Sequence, residues 1–170
     1  MATTDPLTGI SNRQRVLDDL DVAVETARRD GAWLGVCEVD LDHFKQVNDT
    51  HGHDIGDLVL VTVAERLSAR LQEGELLGRV GGEEFLLGMP RLDLAEAAAR
   101  AEDFRGAVEA LPAALPDGSA LAVTASFGVA ATYGSRCSVE TLRSAADRAL
   151  YEAKAGGRNA VRTTEVGLSE

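Results

Sequence analysis

The chain has 170 residues, 45% of them hydrophobic and 26% charged, which suffices for one well-buried core and is too few for two comfortable domains. A net charge of −11 repels a nucleic-acid backbone and an anionic membrane surface and argues against both as partners. No stretch approaches the roughly 20 apolar residues of a membrane span, and the N-terminus lacks a basic-then-apolar signal pattern, so the expected compartment is the cytoplasm.

In chain order, Ile10, Val16, Leu17, Leu20, Val24 and Ala27 recur at helical intervals after a polar Thr-Gly start, predicting an amphipathic helix over 10–29. Residues 33–41 (WLGVCEVDL) are nearly all apolar, as in a central strand buried on both faces, and the strand ends in carboxylates, Asp40-Leu41-Asp42. A short polar helix over 43–48 is followed by the segment THGHDIGD, expected as a loop whose Asp54 caps a long helix carrying Leu60, Val63, Ala64, Leu67 and Leu71. Next, LLGRV and FLLGM flank GGEE, which predicts two short strands joined by a tight Gly-Gly turn. A helix over 93–111, a turn at PDGS, a strand through ALAVTASFGVAA and a Ser138-capped helix to Lys154 follow. Gly156-Gly157 ends that helix and NAVR supplies a last strand. Such mixing implies an α+β fold, with helices covering a largely antiparallel sheet.

The two cysteines, Cys37 and Cys137, lack metal-ligand spacing and are expected as buried reduced thiols. The basic residues are uneven: fifteen of the 17 are arginine and only Lys45 and Lys154 are lysine. An ammonium and a guanidinium present different donors to phosphate, so two isolated lysines invite a specific reason beside the plain one, a surface charge. Asp40 and Glu84, on a strand end and in a facing turn, suit magnesium, a hard cation shared with substrate phosphates. The competing reading makes Asp40 and Asp42 caps of the following helix and Glu83 and Glu84 solvated turn residues. Gly81 and Gly82 permit positive φ and leave room for a ligand against the backbone. Phe44 and Phe127 are expected in the core. His51 and His53 lack a third ligand of zinc spacing and read as a structured loop.

Taken together, LTGISNR, VDLDHFKQVNDTHGHDIGD, RVGGEEF, VTASFGVA and ADRALYEAKAGGRN follow one another as in GGDEF-domain diguanylate cyclases, which this chain resembles over nearly its whole length. The resemblance implies a palm-type, ferredoxin-like sheet and one GGDEF domain over 1–170 with its core at about 5–163. It also implies condensation of two GTP molecules to cyclic di-GMP, with release of two pyrophosphates, between two protomers. By matching motif, Asp40, Glu84 and the backbone carbonyl of Leu41 correspond to ligands of Mg2+ or Mn2+, two ions per active site. Glu83 corresponds to the residue that contacts or deprotonates the ribose 3′-hydroxyl. Backbone amides near His43 and Phe44, with Lys45, Lys154 and Arg158, match triphosphate contacts, and Gly81 and Gly82 border the substrate. Asn48 and Asp57 match the guanine contacts. A carboxylate accepts from both N1–H and the exocyclic amine of guanine, and adenine offers neither donor there, so GTP is expected over ATP.

Gln72 and Glu75 stand where many relatives carry an inhibitory Arg-x-x-Asp. Gln72 lacks the cationic fork, so product inhibition there is expected to be weak or absent. Val80 replaces a frequent aromatic and reads as a packing variant. Glu38, two residues before Asp40 in a buried strand, faces the same side and either borders the metal site or pairs with a basic neighbour. The chain begins almost at Asp5-Pro6-Leu7-Thr8, with no sensor before it, so an excised or naturally minimal domain, and hence a weak homodimer of low activity, is expected. The alternative function is a catalytically silent receptor that binds GTP or a partner.

Overall fold

The computed structural model describes residues 2–110, 112–134 and 137–166. Its centre is a five-stranded sheet in the order β2-β3-β1-β6-β7, formed by β1 (Trp33–Leu41), β2 (Leu76–Arg79), β3 (Glu84–Pro90), β6 (Ala125–Tyr133) and β7 (Val161–Thr163). All neighbours are antiparallel except β6 and β7, which are parallel. The α+β expectation and the largely antiparallel sheet both hold.

Side chains alternate across β1, and each face has its own core. On one face Cys37, Val39 and Leu41 meet Val59, Val63 and Leu67 of α3 (His53–Arg70) and Ala97, Ala101 and Phe104 of α4 (Leu94–Glu109). On the other, Leu34 and Val36 meet Val16, Leu20 and Val24 of α1 (Arg13–Asp30) and Leu142, Ala145 and Ala146 of α5 (Val139–Ala155). Asp40 belongs to this second face, at its α5 end. Phe44 and Phe127 are buried, as expected.

Several boundaries differ from the sequence reading. Helix α1 starts later, because the Asn12 side chain accepts from the Arg15 amide and caps it there; Ile10 precedes the helix and packs on the opposite core. The expected THGHDIGD loop is absent. Helix α2 (Phe44–His51) runs to Gly52, whose φ of 89° breaks the chain for one residue, and α3 begins at His53. Gly52 is the cap and Asp54 lies in the first turn of α3, where it complements the helix dipole without a capping hydrogen bond. The strand expected through 120–131 is two strands: β5 (Ala120–Leu121) pairs with β4 (Ala113–Ala114) around the PDGS turn, and β6 starts at Ala125. Of the helix expected over 93–111, position 111 lies outside the described residues. Both Cys37 and Cys137 are buried, and burial pushes the Cys37 thiol well above its ordinary pKa.

Candidate active site

The antiparallel ladder sets Asp40 directly opposite Glu84, so the last carboxylate of β1 and the first residue of β3 emerge on one face of the sheet. Asp40 is 7% exposed and its Oδ2 accepts a 2.7 Å hydrogen bond from Lys154 Nζ, delivered by the last turn of α5. Leu41 donates its amide to the Glu83 carbonyl at 3.2 Å.

Beside these groups lies a cavity of about 260 Å3, to which Asp40, Leu41, His43, Phe44, Lys45, Glu83, Lys154 and Arg158 all contribute. Eight positions singled out from sequence thus converge, joined by Asp42 and Gln46. His43 adopts the left-handed conformation at φ 59°, and its side chain makes no capping hydrogen bond to α2. The first amides of a helix have no partner within it, so residues 43–45 open a run of donors on the cavity, favourable for an anion. Lys45 is 90% exposed and pairs only loosely with Asp49 at 3.3 Å. Opposite, Gly157 (φ 117°), Arg158 (φ 66°) and Asn159 (φ 47°) form a left-handed run after α5.

Asn48, Asp57, Gly81, Gly82 and Glu84 do not line this cavity. Asn48 and Asp57 sit where α2 and α3 meet, Asn48 half-buried and Asp57 exposed. Asn48 Oδ1 occupies the space a side chain at Gly56 would fill. The signature glycines act differently from the sequence expectation, since neither Gly81 nor Gly82 has a positive φ. A Cβ at Gly81 would occupy the space of the Glu84 carboxylate and push it aside, whereas Gly82 faces open space.

The family profile described as "Diguanylate cyclase, GGDEF domain" matches residues 2–160. This chain is a member of the GGDEF domain family. Among its relatives, the response regulator PleD of Caulobacter vibrioides is 44% identical over 162 residues, covering 95% of this chain and 36% of PleD. The diguanylate cyclase DgcP of Pseudomonas aeruginosa is 39% identical over 93% of this chain and 23% of its own length. The chain therefore spans about a third or less of these curated relatives. Among solved structures, the GGDEF domain of DgcB from Caulobacter crescentus, in complex with c-di-GMP, superposes with a TM-score of 0.91 at 36% identity and 96% coverage of both chains.

In this GGDEF domain the neighbouring acids are sorted by their partners. Asp42 accepts from Thr124 Oγ1 and Ser126 Oγ, both at 2.7 Å, and from the Asn159 amide at 2.9 Å. It caps nothing; it ties β1 to the start of β6 and to the turn after α5. Glu83 has its carboxyl raised, chiefly by burial and then by the Asp40 charge, with Lys154 opposing. Glu38 resolves in favour of a basic neighbour, Arg143, although it shares the Asp40 face. Burial pushes its carboxyl up to about 7 against the pull of that guanidinium.

Among the described residues no group of three or more His, Cys, Asp or Glu is arranged to hold a metal. Two carboxylates and a carbonyl nonetheless fit Mg2+ or Mn2+, which commonly take one or two protein carboxylates and complete their shell with substrate phosphate and water. His51 ends α2 and His53 begins α3.

Sequence reasoning missed Arg79. Its guanidinium donates to the Gly81 carbonyl at 3.2 Å and the Gly82 carbonyl at 2.8 Å, and pairs with Asp5 at 3.2 Å. The available signal was an arginine two residues ahead of the glycines. Val80 is buried against the second core, a packing residue as expected. Glu75 accepts from the Gln72 amide at 2.8 Å and from Arg100 Nε at 2.8 Å, and is turned inward. No described helix is long and apolar enough to cross a membrane.

Proposed function

We propose that this GGDEF domain is a diguanylate cyclase. Two GTP molecules, one per protomer, become cyclic di-GMP: each ribose 3′-oxygen forms a bond to the α-phosphorus of the other nucleotide, each α–β phosphoanhydride bond breaks, and two pyrophosphates leave. The observation that carries the reading is the cross-strand pair of Asp40 and Glu84 beside a cavity bearing both lysines of the chain.

Asp40, Glu84 and the Leu41 carbonyl are the residues that would hold Mg2+ or Mn2+, two per site. The chemistry supplied on binding is Lewis-acid polarisation of the α-phosphate and neutralisation of the departing pyrophosphate. Lys45, Lys154, Arg158 and the first amides of α2 bind the triphosphate. Glu83, with its raised pKa, takes the 3′-hydroxyl proton. Asn48 and Asp57 read the guanine edge, and Gly82 lets substrate lie against the backbone.

The site is half of the machinery, because each protomer supplies one nucleotide; a cytoplasmic homodimer is the assembly that works, with no nucleic acid and, in this segment, no membrane as partner. Product inhibition at Gln72 and Glu75 is weak, since Gln72 offers no cation and Glu75 is committed to Arg100.

Concentrated protein incubated with GTP and Mg2+ should yield cyclic di-GMP by mass spectrometry, and Glu84→Ala should abolish it. GTP binding without product, even with an added dimerising tag, would favour the silent receptor. Strong inhibition by added cyclic di-GMP that disappears on mutating Gln72 or Glu75 would overturn the inhibitory-site reading.

A further inference from the structure

Glu38 lies in the middle of the buried central strand β1, 3% exposed, and the reaction above makes no use of it. Its two oxygens accept a fork from Arg143, Nε to Oε2 and Nη2 to Oε1, both at 3.0 Å. Removing two charges from water is costly, and an apolar pair of similar volume holds a core at least as well. Stability alone therefore leaves the pair without a reason.

Its placement supplies one. Glu38 and Asp40 are alternate residues of β1 and share a face, and the cations they grip, Arg143 and Lys154, both belong to α5. Gly128 is the cross-strand partner of Glu38 on β6. A Cβ on Gly128 would strike the Ala146 carbonyl oxygen and the Leu150 amide, so the α5 backbone rests directly on the sheet at that level. The Glu84 charge also acts on both members of the pair.

We propose that Glu38 and Arg143 are positioning residues for the metal and triphosphate site: their clamp fixes α5 along β1 and so holds Lys154 on Asp40, while Arg143 cancels the buried charge behind the acids. This rests on the reading of Asp40 and Glu84 as the metal-holding carboxylates.

The test is Mn2+ binding, followed by electron paramagnetic resonance with a GTP analogue whose α–β bridge cannot be cleaved. It compares wild type, Asp40→Ala, the double variant Glu38→Met with Arg143→Met, and Arg143→Lys. The double variant should keep the wild-type denaturation midpoint or exceed it, yet bind Mn2+ together with the analogue about tenfold or more weakly, because Lys154 is no longer held where it meets the triphosphate, as when outer partners of a metal site are lost. Arg143→Lys keeps the charge without the fork and should fall between. Wild-type Mn2+ affinity in the folded double variant overturns the inference. If that variant does not fold, unchanged affinity in Arg143→Lys overturns it and weakened affinity at unchanged midpoint supports it. Binding that is absent from wild type, or that survives Asp40→Ala, defeats the reading of the site and the inference with it. Binding lost in Asp40→Ala but retained in the clamp variants defeats the inference alone.

Discussion

The ammonium of Lys154 lies 2.7 Å from Oδ2 of Asp40, a lysine from the end of one helix resting on a carboxylate at the end of the central strand. The lysine supplies Asp40 with a positive partner, the same service a bound metal ion would provide.

Lys154→Met should therefore act in opposite directions on two ligands. Mn2+ binding in the absence of nucleotide should tighten, because Asp40 loses its internal cation. GTP binding should weaken about tenfold, or ~1.4 kcal/mol. Isothermal titration of each ligand separates the effects, and a parallel loss of both would contradict the arrangement.

Asp42→Ala should injure the fold before the chemistry. It leaves Thr124, the fully buried Ser126 and the Asn159 amide without their acceptor, an expected loss of about 2–4 kcal/mol. Urea denaturation measures it, and a variant as stable as wild type would show that these bonds contribute little.

Gly56→Ala should leave the fold standing and impair base choice. The added methyl meets the end of the Asn48 side chain, which can swing aside, and alanine favours the helix by up to ~1 kcal/mol over glycine. The preference for GTP over ATP should drop about tenfold. Competition binding with the two nucleotides reads it directly; unchanged selectivity would remove Asn48 from the guanine contacts.

Asp5 supplies a pH signature. Burial alone would raise its carboxyl, but hydrogen bonds from Thr8 and the Arg79 charge outweigh it and hold the pKa below its ordinary value of 3.8. A depressed folded pKa stabilises fully above the unfolded value and is lost as pH falls through the folded one. The stability gap between wild type and Asp5→Asn should thus be constant from neutral pH to about 5 and close below about 4. Denaturation across that range tests it, and a gap that widens on acidification would reverse the sign.

Much of this was legible in the chain, for identifiable reasons. The β1 run from Trp33 to Leu41 is apolar on both faces, so its central place needed no further information. The convergence of Asp40, Lys45, Glu83, Lys154 and Arg158 followed from motif order. Asp42 was harder to read, because its partners lie more than 80 positions away around the start of β6 and after α5, and nothing local distinguishes it from Asp40. The Glu38 and Arg143 pair, 105 positions apart, was visible only as a charge that needed a partner. Gly52 misled in another way: the polar segment around it looked like a loop, whereas one residue of positive φ suffices to turn two helices into a corner.

Gly81 and Glu84 share one space. The Gly81 backbone is ordinary, and its missing side chain is the room into which the Glu84 carboxylate folds. The first and fourth letters of the signature are therefore one choice written twice. A methyl at 81 would evict the acid at 84 without altering it, and a survey scoring each position alone would count as two essential residues what is sterically a single one.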